Sequence, residues 1–209
     1  MHLGRADPVM ARIIAEVGPC RIVLRRERFP ALARAIIFQQ LAGPAARAIH
    51  DRLLAMYPGC TFPTPAQVLA TPNEKMRAVG LSAKKALYIK DLARHIADGL
   101  LNFHRFARMD DDQIIADLTR VHGIGRWTAE MFLMFNLGRP DVLPVDDLGV
   151  RNAIVRAYRM RKAPTPARLR DFGARWSPYR TVAAWYLWRS LDITLPTDAV
   201  DSRRPKRQR

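Results

Sequence analysis

Cysteine is almost missing from this chain. Cys20 and Cys60 are the only two in 209 residues, far apart and without CxxC spacing. That pair argues against a disulfide framework and against a structural zinc or a cysteine-held cluster, and it fits a reduced cytoplasm. Long hydrophobic runs are lacking too, and none approaches the roughly 20 apolar residues of a membrane span. The opening stretch MHLGRADPVMARIIAEVG carries acidic residues and a helical pattern, which makes it a poor signal peptide. Acidic residues are scarce beside basic ones, 19 Asp+Glu against 35 Lys+Arg, for a formal net charge of +16. Such an excess favours a polyanionic partner, most simply nucleic acid, with an anionic membrane surface as the rival. There is no internal repeat and no convincing hairpin of strands. What is present is 49% hydrophobic residues, enough for a chain of this length to bury a core rather than stay disordered.

Pro and Gly punctuate a series of helical segments. FPALARAIIFQQLAG carries Leu32, Ile36 and Gln40 down one face and stops near Gly43. PAARAIHDRLLAMYPG spaces Ile49, Leu53 and Met56 helically and closes at Pro58-Gly59. In TPNEKMRAVG, Thr71 is placed to cap, Pro72 fits the first turn, Glu74 completes a capping box and Gly80 ends the helix. SAKKALYIKDLARHIADG starts behind Ser82, lines one face with Tyr88, Leu92 and Ile96, and ends at Gly99. MDDDQIIADLTRV puts aspartates in a first turn, where the helix dipole favours them. RWTAEMFLMFNLG is apolar on several faces, as a central helix would be. VDDLGVRNAIVRAYRM begins behind two aspartates, and TPARLRDFGARWSP and YRTVAAWYLWRSL supply the last two helices. CRIVLRRERF suits a brief extended piece. The pattern predicts an all-α fold of about ten short helices, as two lobes with a cleft between them. Residues 1–200 form one domain, followed by a basic disordered tail over 201–209.

Between two of these helices lies HGIG, residues 122–125. Glycine permits positive φ and close backbone approach, and Ile124 between the glycines can anchor the turn in a core. The N–H groups that open the next helix then point outward and form an anion site suited to a phosphate diester, which positions a protein without reading sequence. A tight turn with no ligand explains the same residues. In PVDDLG, Asp146 and Asp147 read locally as caps for the helix at Leu148. Trp176, Trp185 and Tyr186 read as core.

LTRVHGIGRWTAEMFL followed by VLPVDDLGVRNAI resembles the helix-hairpin-helix DNA glycosylases, and within them the DNA-3-methyladenine glycosylase II type. FPALARAIIFQQLAGPAA is similar to that family's glutamine-bearing helix and wedge turn. VGLSAKKALYIKDLA is similar to its G-x-S-x-x-K-A segment, and RWSPYRTVAAWYLWR to its closing helix. The resemblance runs from about Glu16 to Leu191. Larger bacterial members carry an N-terminal β-rich domain, so this chain is expected to be a compact form. His122 stands where many relatives have proline before the first hairpin glycine, a difference expected to alter phosphate contact or loop stiffness.

The resemblance also sorts the branch. Endonuclease III and the adenine-mismatch glycosylases usually carry four cysteines for an iron–sulfur cluster, and two isolated cysteines cannot hold one. The bifunctional branch has a nucleophilic lysine two residues after the second hairpin glycine; here that slot is Trp127. This implies a monofunctional enzyme that cleaves the N-glycosidic bond by base flipping and leaves an abasic site in an intact strand, acting on alkylated purines, chiefly 3-methyladenine, in duplex DNA. It would start base excision repair. By the family's spacing from the hairpin, Asp147 matches the catalytic aspartate and Asp146 becomes a cap or an orienting neighbour. A fixed anion stabilises the positive charge that builds on the sugar and can orient or deprotonate the attacking water; the following helix terminus helps keep it ionised.

Other residues take implied roles. Trp127, Met131 and Trp188 are the base-pocket residues, the indole faces attracting a cationic alkylated purine and Met131 offering a polarisable wall. Leu41 matches the wedge that fills the gap left by the extruded nucleotide, and Gln40 can bond neighbouring bases or backbone. Gly123, Gly125, Arg126 and Thr128 are implied DNA contacts, and Arg47, Lys84 and Lys85 are plausible phosphate contacts. No organic cofactor or catalytic metal is implied. Relatives bind a monovalent cation at the hairpin through main-chain carbonyls, which here would come from Thr119, Val121 and Gly123. The implied partner is alkylated double-stranded DNA and not a membrane, with the protein a monomer on the nucleoid in a bacterial cytoplasm. Two rivals stay open: a non-catalytic binder of distorted DNA, and a glycosylase for uracil or deaminated purines.

Overall fold

The computed structural model describes residues 2–192; the basic stretch 201–209 lies outside the described residues. Every regular element among the described residues is helical. The α-helices are α1 (His2–Ala6), α2 (Pro8–Val17), α3 (Phe29–Phe38), α4 (Gly43–Ala55), α5 (Pro65–Ala70), α6 (Asn73–Ala78), α7 (Ala83–Ala97), α8 (Asp111–Thr119), α9 (Arg126–Phe132), α10 (Leu148–Ala157), α11 (Pro166–Gly173) and α12 (Arg180–Leu191). The all-α expectation holds, with two more helices than the rough count.

The chain divides into two compact units. One is continuous, Leu24–Leu137; the other takes residues up to Val23 and those from Gly138 onward. In the continuous unit, α3 packs on α4, α7 and α9, α5 and α6 lean on α7, and α8 pairs with α9. Ile36, Leu53, Ile89, Leu92 and Leu118 are fully buried among them. Removing a side chain of that kind to Ala costs about 2–5 kcal/mol. The capping signal in α7 is used as read, with Ser82 Oγ accepting from Lys85 N; in α8, Asp111 and Asp112 stand in the first turn as expected, and the structure adds a reciprocal capping box between Asp110 and Gln113.

Two local readings change. Thr71 does not cap α6, whose N-cap is Pro72 without a side-chain bond. Its hydroxyl donates to Gln67 O at 2.8 Å, closing α5 instead. Gln40 is not on the face of α3, because that helix ends at Phe38; Gln40 adopts φ +55 and Gly43 already begins α4. CRIVLRRERF joins no strand ladder and runs into α3 at Phe29. An extended segment without a neighbouring strand has no ladder to satisfy its backbone. Partners come from the π-helical stretch Leu133–Leu137 that continues α9: Arg25 N donates to Phe135 O at 2.8 Å, and Asn136 Nδ2 donates to the carbonyls of Arg25 and Glu27.

In the discontinuous unit, α12 packs against α2 and α10. Buried Asp7 joins the two ends of the chain. One oxygen caps α2 through the N–H groups of Val9 and Met10, and the other accepts from Tyr158 OH at 2.6 Å and Trp176 Nε1 at 3.0 Å. Burial, and then the Asp7 carboxylate, push the Tyr158 phenol far above its ordinary value. Trp176, Trp185 and Tyr186 are buried, as the core reading expects.

Candidate DNA-binding hairpin and active-site carboxylate

The hairpin lies in the continuous unit. α8 ends at Thr119, and the chain turns through residues 120–125 into α9. Ile124 is buried and its N–H donates to Val121 O at 3.1 Å, which closes the turn around an apolar anchor. Gly123 has φ +86, and a Cβ there would collide with the Tyr88 ring. Glycine is therefore required at 123 for two independent reasons. Gly125 differs: its φ is −89, and a Cβ would meet nothing within 4 Å. Its backbone suits any residue, and it stands as the N-cap of α9 beside open space.

Around the hairpin runs a groove of about 610 Å³ lined by residues of this unit, among them Gln39, Gln40, Lys84, Tyr88, Arg120 and His122. Lys84 is exposed and its ammonium sits 5.7 Å from the Tyr88 ring centroid. His122 is fixed by Asp91, whose Oδ2 takes the His122 backbone N–H at 2.8 Å and lies 2.9 Å from Nδ1. Burial raises the Asp91 carboxyl, but the His122 bonds and the nearby His95 outweigh it and hold it below the ordinary range. A proline at 122 would have no N–H for this bond. The His122 departure thus ties the turn to α7.

The carboxylate lies in the discontinuous unit. Asp147 is the N-cap of α10, and its Oδ1 accepts from Val150 N at 2.8 Å and from Trp188 Nε1 at 2.8 Å. Asp146 is exposed. Gly149 allows the indole this close, since a Cβ there would stand 2.8 Å from Trp188 Cδ1. The local reading of Asp147 as a cap is correct, and the structure adds the tryptophan. The result is an oriented carboxylate at a helix head, an arrangement that can stabilise adjacent positive charge.

A family model described as HhH-GPD superfamily base excision DNA repair protein matches residues 33–178, a span that includes both the hairpin and Asp147. The chain belongs to this superfamily. Among relatives, DNA-3-methyladenine glycosylase 1 of Schizosaccharomyces pombe is 37% identical over 211 residues, covering 99% of this chain and 91% of that protein. A solved structure of the Schizosaccharomyces pombe 3-methyladenine DNA glycosylase in complex with abasic DNA superposes with a TM-score of 0.80 at 38% identity, covering 92% of this chain and 96% of that one. A DNA-3-methyladenine glycosidase from Bacillus halodurans gives a TM-score of 0.83 at 33% identity, covering 90% and 87%.

Within this superfamily member, Trp127 is 46% exposed in the first turn of α9, and Met131 is half-buried one turn on. Leu41 is 39% exposed at the turn after α3, with Gln40 exposed beside it. Arg47 is exposed on α4. Three of the expected DNA contacts are engaged within the protein. Thr128 is buried, because the third position of α9 faces the core. Arg126 is half-exposed and pairs with buried Glu130 at 3.0 Å and with Asp112 at 3.5 Å. Lys85 is half-buried and donates to Ile37 O at 2.8 Å and Gln39 O at 2.6 Å. Of the expected cation ligands, Val121 O accepts from Ile124 N, and Gly123 O accepts from Gln39 Nε2 at 2.7 Å. Among the described residues there is no His/Cys/Asp/Glu cluster that could hold a metal, and no helix long and apolar enough to cross a membrane.

Sequence reasoning missed Gly149, Asp91 and the roles of Gln39 and Lys85. A glycine inside the first turn of a helix was the one visible signal, since glycine there costs helix stability and calls for a packing reason. Asp91 and Gln39 act across long sequence distances and leave no local trace.

Proposed function

We propose that this chain is a monofunctional DNA glycosylase that excises alkylated purines, chiefly 3-methyladenine, from duplex DNA and so initiates base excision repair. The observation that carries this reading is Asp147, held by the Val150 and Trp188 N–H groups at the head of α10 in a superfamily member similar over nearly its whole length to 3-methyladenine glycosylases. The Asp147 carboxylate stabilises the positive charge that grows on the sugar as the N-glycosidic bond breaks, and it orients the water that attacks. Gly123 and Gly125 bring backbone N–H groups to a phosphate of the DNA. Leu41 fills the stack when the nucleotide leaves it, and Gln40 bonds beside it. On α9, Trp127 and Met131 are offered to the base, a cationic purine being favoured on an electron-rich ring; separately, on α12, the indole face of Trp188 is offered to such a base. Trp127 occupies the slot of the lysine that forms a Schiff base in lyases, so no strand cleavage follows. No organic cofactor or metal takes part. The protein acts as a monomer in a compartment that holds DNA and keeps thiols reduced; its relatives come from a fungus and a bacterium.

The test is a substrate panel with product analysis. Duplexes carrying 3-methyladenine, hypoxanthine or uracil are incubated with the purified chain, with and without borohydride. Free 3-methyladenine, an intact strand bearing an abasic site and no trapped adduct are expected. No release from any duplex would leave a binder of distorted DNA. Preference for uracil or hypoxanthine would overturn the substrate, and a trapped adduct would overturn the monofunctional mechanism.

A further inference from the structure

The turn that carries Leu41 is braced from two sides within the continuous unit. α3 ends at Phe38 with no glycine to close it, and Gln39 turns extended at φ −54, ψ 131. Gln40 then adopts φ +55, a conformation that a residue with a Cβ rarely holds without support. The last carbonyls of α3 have no intrahelical partner and lie at the negative end of the helix dipole. Lys85 answers both needs. Its ammonium, from the first turn of α7, donates to Ile37 O at 2.8 Å and to Gln39 O at 2.6 Å. Ser82 sets the reach, because its hydroxyl accepts from Lys85 N and fixes where α7 begins. On the other side, the Gln39 side-chain amide donates to Gly123 O at 2.7 Å, so the turn is tied to the hairpin itself. Leu41 N closes the bend weakly on Phe38 O at 3.4 Å and leaves its side chain exposed.

We propose that Lys85 is a positioning residue for base extrusion: with Gln39 it locks the Leu41 turn to the phosphate-gripping hairpin, and it makes no phosphate contact of its own. The inference rests on the glycosylase reading above and on Leu41 as the wedge. Lysine lining a groove beside a hairpin suggests a phosphate ligand at first sight. Two of its three donors are already taken by carbonyls at short range, however. Burial also lowers its pKa, the signature of an ammonium drawn in from solvent. The consequence is mechanical. When DNA phosphate seats on the hairpin, the Leu41 side chain arrives at the neighbouring base step in a fixed pose, and no loop has to order at that moment.

The experiment compares wild type, Lys85→Met and Leu41→Ala in the full chain. Single-turnover release of 3-methyladenine is measured from a fully paired duplex and from the same strand with the lesion opposite a mismatch. Affinity for an abasic duplex is measured against salt. Lys85→Met is expected to slow release from the paired duplex about tenfold more than from the mismatched one, because the wedge matters most where unstacking is hardest. Its slope of log K against log[salt] should match wild type, since no phosphate contact is lost. A slope shallower by about 0.9, with equal slowing on both substrates, identifies Lys85 as a phosphate ligand and overturns the proposal. Leu41→Ala separates the two levels. If it shows the pairing dependence and Lys85→Met does not, the brace is wrong and the wedge stands. If Leu41→Ala shows none, the wedge reading falls and this proposal with it. Should Lys85→Met fail to fold, Gln39→Met cuts the same brace at its hairpin end: the same dependence on pairing is expected, and equal slowing on both substrates overturns the proposal.

Discussion

On Asp147 a single carboxylate oxygen accepts both the Val150 N–H and the Trp188 indole N–H, so capping α10 and orienting the carboxylate are one interaction. Asp147→Asn keeps an oxygen for both donors, removes the charge and turns the second oxygen into an amide donor. It should bind an abasic duplex nearly as wild type does and release base about a hundredfold more slowly or worse, a loss confined to the transition state. Exposed Asp146→Asn should change the rate less than about threefold. Single-turnover rates beside abasic-duplex titrations check both, and the reverse order of severity would put the catalytic charge one residue earlier. Local sequence showed a cap and nothing more at this place; only the resemblance singled out Asp147. Gly149 was legible only as an oddity, since what demands a glycine there is Trp188 arriving from α12. Asp91 was invisible, because its target is the backbone of another segment.

The hairpin shows the same division for an element. Two glycines looked equivalent in HGIG, yet only Gly123 is conformationally required. Gly123→Ala should lower stability by about 1–3 kcal/mol, from the left-handed backbone and the displaced Tyr88 ring together. Gly125→Val should leave stability within about 0.5 kcal/mol of wild type and weaken binding to every duplex alike. Thermal melts paired with titrations of damaged and undamaged duplex separate the two, and unchanged affinity in folded Gly125→Val would remove the amides of α9 from DNA binding. Helices were legible because caps and periodicity are local: Ser82 caps α7 and the aspartates of α8 stand in its first turn. The failures occurred where two elements compete for one residue, as α5 and α6 do for Thr71, or where a helix ends for tertiary reasons, as α3 does against Lys85.

For the whole molecule, the formal charge of +16 sets long-range behaviour. Duplex affinity should fall linearly in log K against log[salt], with a slope near −0.9 for each phosphate engaged; an affinity indifferent to salt would remove the hairpin and its basic surroundings from the interface. Acid stability has its own anchor. Burial raises the Asp141 carboxyl, but bonds from Arg180 and Ser177 outweigh it and hold the group below its ordinary 3.8. The unfolded chain therefore takes up this proton first as pH drops. The contribution is whole above about 3.8 and is lost as pH falls through the lower native value. Asp141→Asn should cost roughly 1–3 kcal/mol at pH 7 and flatten the acid decline, read from urea midpoints between neutral and acid pH. An acid decline as steep as wild type would show that other carboxylates set it. The all-helical class was legible in the chain's punctuation. Two lobes were expected, but which segments make each unit was not legible, because α2 and α12 lie at opposite ends of the sequence and nothing local marks them as neighbours.

That division bears on how the protein is made. Leu24–Leu137 is continuous and holds the hairpin and the Leu41 turn, whereas the unit with Asp147 needs segments from both sides of it. A ribosome releases the unit with the hairpin complete while the first helices still wait for α10 and α12. Folding during synthesis should therefore run from the middle outward, and a chain cut short before Gly138 would carry the hairpin without Asp147.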